Sequence, residues 1–189
     1  MSVIARDITL ERAKSVVPTE LEWLSTPADL MDNHILHPEE AVAVGSYNHA
    51  MTQTNLGFLL KRLGGYSVFT GLNLDTSDIV LNHIPKRDEM RPDLCLYPKR
   101  SLSRPFDILK MAEMPLLAIE ILSPSQGIQE ILEKFAIYFA CGVQSCWLVE
   151  PITALVIVYP SLYYRLVFSS NEVVDEKLGI RLPFAEIFE

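Results

Sequence analysis

The sequence predicts a mixed α/β fold in which a central mixed sheet is flanked by helices. Between Pro115 and Pro151, an apolar run, a Ser-Pro-Ser turn, a helical pattern and a second apolar run follow one another, which indicates a strand, a helix and a strand. Short apolar runs within 146–168, separated by Pro151 and Pro160, predict a meander that closes the sheet. A second helical pattern, over 46–63, adds another helix.

Length and composition predict one domain that covers 1–189. A chain of 189 residues can bury a core without disulfides or structural metal, and 49 % hydrophobic with 21 % charged residues is typical of a globular protein. Residues 1–17 carry mixed charge without turn signals, so we expect a poorly ordered start. We also expect a short capped helix over 18–24 and a loop, with at most one short extended piece, over 32–40.

Charge and apolar runs restrict the location and the partners of the protein. No apolar run approaches the roughly 18 to 20 residues of a membrane span, and the charged N-terminus lacks the apolar centre of a signal peptide, so we expect a cytoplasmic protein without a membrane partner. The net charge of -8 disfavours tight nonspecific binding of nucleic acid, which depends on lysine and arginine. It is compatible with an acidic metal site, because the bound cation supplies local positive charge. Three scattered cysteines without CxxC spacing indicate reduced, buried thiols: Cys95, Cys141 and Cys146.

The periodicity assigns the elements in order. Apolar residues at three- and four-residue spacing, followed by Gly64 and Gly65, predict the helix over 46–63. Downstream we predict strands over 66–74, 78–81 and 91–97, a helical turn at 106–111, a strand over 116–122, a helix over 128–139, strands over 146–149, 155–159 and 163–168, and a tail over 178–188 that packs back on the sheet.

The helix after the 116–122 strand carries a polar row beside its apolar face. Projected at about 100° per residue, Glu130, Lys134 and Tyr138 form an i, i+4, i+8 row on the flank of the apolar stripe, which we expect to be half-buried. The stripe itself is predicted from Ile128, Ile131, Leu132, Phe135 and Phe139.

Two carboxylates mark a candidate site. Glu120 interrupts an apolar strand, where an unpaired carboxylate costs several kcal/mol, and Asp93 follows Pro92 near the start of a neighbouring strand. Magnesium and manganese favour such oxygen ligands together with water and substrate phosphates, and a nearby ammonium can orient the nucleophile. Lys134 is the best-placed ammonium. The ordinary alternatives are a turn-ending Asp93, an exposed Glu130–Lys134 pair and a helix-capping His49.

The motifs resemble a known family. They are Arg91-Pro92-Asp93, the run Leu-Ala-Ile-Glu-Ile-Leu-Ser-Pro-Ser over 117–125, Lys134, Tyr138, Gly142-Val143 and Trp147-Leu148-Val149-Glu150-Pro151. At these spacings the chain resembles the Uma family, bacterial proteins described as putative restriction endonucleases within the PD-(D/E)xK nuclease superfamily. The resemblance covers about 46–164, which would form the nuclease-like core.

This resemblance implies a restriction-endonuclease-like fold with Asp93 and Glu120 as magnesium or manganese ligands. The backbone carbonyl of Ile121 would be a further ligand by the superfamily pattern. Leu122 stands where the superfamily has its lysine, and the family places that lysine on the following helix, where Lys134 matches. His49 matches a histidine at the start of a helix, so His49, Glu130 and Tyr138 are expected to support the site.

The departures from the family pattern are few. Cys146 replaces an aromatic residue and Glu150 an aspartate, and both changes are interpreted as packing and turn differences. The acidic residue expected ahead of the first helix is not recognisable around Glu39 and Glu40.

The function implied is a magnesium-dependent endonuclease that hydrolyses phosphodiester bonds of DNA with a metal-activated water. Because paired active sites suit cutting both strands of a duplex, and exposed apolar strands can supply an interface, we also predict a homodimer. Two alternatives stay open: an inactive nuclease-fold module for binding or assembly, and a metal-dependent hydrolase of a small phosphodiester. A continuous basic rim near Asp93 would favour nucleic acid, and scattered basic residues would favour the alternatives. The residues in question are Lys86, Arg87, Arg91, Lys99, Arg100 and Arg104.

Overall fold

The computed structural model describes residues 46–102 and 105–189. The elements predicted within 1–40, and Arg104, lie outside the described residues, and the single domain over 1–189 stays a prediction. In chain order the elements are α1 (Tyr47–Arg62), β1 (Tyr66–Thr70), β2 (Leu74–Asp75), β3 (Glu89–Met90), β4 (Leu94–Pro98), β5 (Leu117–Ile121), α2 (Ile128–Ala140), β6 (Ser145–Glu150), β7 (Leu155–Ser161), β8 (Tyr164–Phe168), β9 (Glu172–Asp175), β10 (Ile180–Pro183) and α3 (Ala185–Phe188).

A six-stranded mixed sheet forms the centre of the described fold, in the order β1-β4-β5-β6-β7-β8. Strands β5 and β6 are parallel and the other neighbours are antiparallel. A parallel pair requires a crossover connection, which α2 provides. The predicted mixed sheet flanked by helices is therefore confirmed, and so is the meander β6-β7-β8.

Each face of the sheet packs against one long helix. Leu117, Ile119 and Ile121 share a buried core with Leu56 and Leu60 of α1. The alternate residue Ala118 belongs to the core on the α2 face, which also contains Ile131, Phe135, Tyr138 and Leu148. Because side chains alternate between the two faces of a strand, Glu120 belongs to the α2 face.

The predicted strand over 66–74 is two strands in different sheets. β1 ends at Thr70, and Gly71 turns the chain with a φ of 58° before β2 pairs with β3. The left-handed backbone at Gly71 favours glycine, and it breaks the alternation that the sequence pattern follows through 74.

Two further predicted elements are wrong. Residues 78–81 form a turn and irregular backbone, and the apolar side chains of Ile79 and Leu81 pack against the core on the α2 face instead of entering a ladder. The helical turn at 106–111 is absent, because the backbone of Met111 bonds to Asn73 and Asp75 beside β2, which keeps it extended.

The buried face of α2 is rotated from the prediction. Ile128 is 52 % exposed, whereas Ile137, outside the predicted stripe, is buried. The segment over 79–87 explains the burial of Ile137, since Ile79, Leu81 and Ile84 line a small cavity together with Ile137.

The buried face of α1 consists of Leu56, Leu59, Leu60 and Thr52. Thr54 is exposed, and its hydroxyl donates to the carbonyl of Ala50.

The C-terminal tail packs back on the sheet, as predicted. Its residues Ile180, Leu182 and Ile187 lie in the core that α1 shares with the sheet. Strand β10 of the tail pairs with the preceding strand β9 in a hairpin, and the tail then forms the short helix α3; the sequence pattern indicated neither. Asn55 of α1 donates to the carbonyls of Ile187 and Glu189 and attaches this tail to α1.

The three cysteines are free thiols, with Cys95 and Cys146 buried and Cys141 partly buried. Burial raises the pKa of Cys95 to about 12, so its thiol stays protonated at neutral pH. None of the helices in the described ranges combines the length and the hydropathy that a membrane span requires.

Candidate active site

Glu120 of β5 is a buried carboxylate, only 2 % exposed, with two partners on α2. The Lys134 ammonium donates to Oε2 at 2.8 Å and the Tyr138 hydroxyl donates to Oε1 at 2.7 Å. Lys134 and Tyr138 lie four residues apart, so successive turns of α2 present them on one face. The polar row that the sequence placed beside the apolar stripe therefore supplies both partners.

Burial controls the ionisation of Glu120. Desolvation raises the pKa of Glu120 to about 7, and the negative charge of Asp93 contributes in the same direction. The charge of Lys134 and the hydrogen bonds from Lys134 and Tyr138 oppose that rise. Glu120 is thus a carboxylate whose charge the surroundings only partly compensate.

Asp93 lies immediately before β4 and next to Glu120. The antiparallel register pairs Leu94 of β4 with Ile119 of β5. Asp93 and Glu120 are the next residues beyond this pair, so they lie opposite each other. Asp93 Oδ2 accepts the backbone N–H of Ile121 at 2.7 Å, and Oδ1 lies 3.2 Å from His49 Nε2. The side chains of His49 and Asp93 are 13 % and 24 % exposed. Asp93 is accordingly the more accessible carboxylate of the two.

Five of the predicted side chains meet in this arrangement, and one does not. Glu130, which was expected to support the site, makes no side-chain hydrogen bond or ion pair with any residue in 46–102 or 105–189. The alternative of an exposed Glu130–Lys134 pair is not formed either, because Lys134 binds Glu120. The amide of Ile121 is bound to Asp93, while the role of its carbonyl as a ligand stays a prediction. The five side chains are Asp93, Glu120, Lys134, Tyr138 and His49.

Sequence reasoning missed Gln53. Its amide Nε2 donates to the backbone carbonyl of Asp93 at 2.7 Å. Gln53 follows His49 by four residues on α1, and this spacing was visible in the sequence. Apart from this spacing, nothing in the sequence indicates that Gln53 contacts a backbone carbonyl 40 residues away.

The donor set fits a hard divalent cation. No group of three or more His, Cys, Asp or Glu side chains suited to a metal occurs in the part of the chain that the structure describes. Magnesium commonly takes only one or two protein carboxylates and completes its shell with water and substrate oxygens. Asp93 and Glu120 supply two neighbouring carboxylates. Desolvation, and to a lesser extent the charge of Asp93, raises the pKa of Glu120, and a bound cation would reduce this cost of ionising it.

Comparisons with known proteins agree with this fold. A crystal structure titled a putative nuclease belonging to DUF820, from Anabaena variabilis ATCC 29413, superposes with a TM-score of 0.59 at 19 % sequence identity. The match covers 76 % of this chain and 81 % of the other, and it supports the fold. A comparison with curated proteins gives no match.

The family comparison covers most of the chain. Residues 32–183 match the Uma2 family, whose description is "Putative restriction endonuclease". The matched range includes α1, the whole six-stranded sheet and α2, and therefore every residue of the candidate site. The chain belongs to the Uma2 family of nuclease-like proteins.

Proposed function

We propose that this protein is a metal-dependent endonuclease that hydrolyses phosphodiester bonds of DNA, with Mg²⁺ or Mn²⁺ as its cofactor. The observation that carries the proposal is the convergence of a buried carboxylate, a second carboxylate and a lysine, which are Glu120, Asp93 and Lys134. Membership of a family described as putative restriction endonucleases supports the same chemistry.

Each side chain has a role in this proposal. Asp93, Glu120 and the carbonyl of Ile121 would hold the metal, which when bound polarises a phosphoryl oxygen and lowers the pKa of a water. Lys134 is held at the site by Glu120 and can donate a hydrogen bond to the attacking water or to a phosphate oxygen. Tyr138 and His49 hold the two carboxylates.

Two alternatives are hydrolysis of a small phosphodiester and a binding module without activity. The distribution of the basic residues favours these alternatives over cleavage of duplex DNA. Lys86 and Arg87 line one cavity, whereas Lys99 and Arg100 line another with Lys61. Several of these side chains are also neutralised by acids, since Lys86 pairs with Asp88, Arg91 with Glu89 and Arg100 with Glu113. In the described part of the chain these basic residues are thus divided between two cavities and several are paired with acids, which disfavours a continuous basic rim for duplex DNA.

The first test is calorimetric titration of Mn²⁺ into the wild type and Glu120→Gln. Glutamine keeps the size of the side chain and an acceptor for Tyr138, so folding should persist while metal affinity is lost. Glu130→Gln is the matched control, because it removes a charge from the same region without touching the site. Undiminished Mn²⁺ binding by Glu120→Gln would contradict the assignment of this ligand.

Cleavage assays then separate the candidates. We expect the metal-loaded wild type to cut duplex DNA, and the Glu120→Gln variant to be inactive. Turnover of bis(p-nitrophenyl) phosphate without cleavage of DNA would favour the small phosphodiester. Metal binding without turnover of any of these substrates would favour the binding module.

A further inference from the structure

Helix α1 contacts residue 93 at two points. His49 Nε2 lies 3.2 Å from the carboxylate oxygen Oδ1, and Gln53 Nε2 donates at 2.7 Å to the backbone carbonyl. Because the two side chains are four residues apart, they project from the same face of α1. One helix therefore restrains both the side chain and the main chain of Asp93.

The Gln53 contact acts where β4 begins. The carbonyl of Asp93 also receives the N–H of Gly71, but at 3.4 Å, so the glutamine makes the shorter of the two contacts. The Asp93 carboxylate in turn accepts the N–H of Ile121, one residue beyond Glu120. Movement of the main chain at 93 would therefore displace the carboxylate from Ile121 and change its separation from Glu120.

We propose that Gln53 is a positioning residue that sets the location of the Asp93 carboxylate relative to Glu120. It does so through the main chain and does not itself touch metal or substrate. Hydrogen bonds from neighbouring residues to the residues that bind a metal orient those ligands, and their loss typically weakens metal affinity by about 10- to 100-fold. The inference rests on the proposed function in one respect, the role of Asp93 as a ligand.

The test compares Gln53→Met with Asn55→Leu. Both substitutions replace a side-chain amide of α1 by an apolar group of similar size. Asn55 bonds to the carbonyls of Ile187 and Glu189 at the C-terminal tail, so its variant controls for general loosening of α1. The first readout needs no metal: amide hydrogen exchange at Ile121, whose N–H is bound to Asp93, with Ile119 of the same strand as the internal reference.

We expect Gln53→Met to accelerate exchange at Ile121 by about tenfold relative to Ile119, because the acceptor at Asp93 is no longer held in place. The Mn²⁺ dissociation constant should rise by about 10- to 100-fold in the same variant. Asn55→Leu should leave the exchange ratio and the metal affinity unchanged, even if its melting temperature falls as far as that of Gln53→Met.

The inference is overturned if Ile121 exchanges at the wild-type ratio in Gln53→Met, or if Asn55→Leu produces the same change. A wild type that binds no Mn²⁺ would overturn the metal-centred function instead, and the exchange ratio would still decide whether Gln53 positions Asp93.

Discussion

Glu120 is the residue on which the candidate site depends, and its behaviour follows from its place in β5. A carboxylate in an apolar strand needs compensation, and α2 provides one ammonium and one hydroxyl. Neither partner removes the cost of burial, as the raised pKa shows. Lys134 and Tyr138 therefore each bind Glu120, but together they do not fully offset the cost of burying its charge.

Replacing Lys134 by methionine should destabilise the fold in a pH-dependent way. Removing one partner of a buried pair leaves an uncompensated charge, so we expect a loss of about 3 kcal/mol at pH 8. The loss should shrink at pH 5, where Glu120 can protonate and avoid that cost. Urea unfolding at the two pH values measures both quantities.

The control for this prediction is Lys110→Met. Lys110 Nζ lies 3.1 Å from Asp75 Oδ1, but both side chains are about one-third exposed, so its removal should cost at most about 1 kcal/mol. Equal losses in the two variants would contradict the special role of the Glu120–Lys134 pair.

The raised pKa of Glu120 predicts a stability that falls as pH rises. Between the ordinary value of 4.5 and about 7, the folded state keeps the proton that the unfolded state has released. Raising the pH through this window therefore favours unfolding, and the stabilising contribution of protonated Glu120 is greatest below pH 4.5. The free energy of unfolding of Glu120→Gln, measured from pH 4 to 8, should lack this component of the slope.

A difference between wild type and Glu120→Gln that stays constant across these pH values would count against the assignment. If the wild type instead gained stability relative to Glu120→Gln as pH rises, the pKa of Glu120 would be lowered by folding and not raised.

At the scale of elements, the sequence predicted what repeats locally and missed what depends on distant contacts. The helical period located α2 and placed Lys134 and Tyr138 beside its apolar face, and the family resemblance assigned both to the site. Their contacts with Glu120 follow from the structure. The same period placed Ile128 inside and Ile137 outside, because it carries no information about the segment over 79–87 that covers Ile137.

The strands show the same limit. Ile79, Val80 and Leu81 read as a strand, yet Ile79 and Leu81 pack as isolated side chains against the core, and the ladder instead uses β2 and β3. Pairing partners lie far apart in the sequence, so alternation alone does not decide which apolar run joins a sheet.

The turn after β1 offers a test at this scale. Gly71 has a φ of 58°, which costs an L-residue roughly 1 to 2 kcal/mol, so Gly71→Ala should lower the free energy of unfolding by about that amount. Gly65→Ala is the matched control, since φ at Gly65 is not positive and nothing lies within 4 Å of an added Cβ. Its effect should stay within about 0.5 kcal/mol, and chemical denaturation measures both.

A Gly71→Ala variant as stable as the wild type would show that the turn relaxes without a left-handed residue. Its effect on the site would be informative too, because the Gly71 N–H reaches the Asp93 carbonyl.

At the scale of the whole molecule, the six-stranded sheet has two outer strands, β1 and β8. Strand β8 exposes Tyr164 and Val167, each 57 % accessible. An outer strand with exposed apolar side chains can pair with a second copy, and two active sites suit cleavage of both strands of a duplex. These features favour the predicted homodimer.

Light scattering at micromolar concentration should give twice the 21.4 kDa mass of one chain. Val167→Lys should shift that mass toward one chain, because it places a charge on β8. Val80→Lys is the control, since Val80 is 74 % exposed and lies outside the sheet. A monomeric wild type would contradict the predicted homodimer and leave the proposed function of the site unaffected.

The contacts around Glu120 and those around Asp93 differ in how far they reach along the chain. Glu120 meets its lysine across 14 residues, whereas Gln53 meets Asp93 across 40. Closing the longer loop costs about 1 kcal/mol more in chain entropy. Loop closure therefore favours the acid–lysine half, so during folding we expect Lys134 to meet Glu120 within the β5-α2 unit before α1 reaches Asp93.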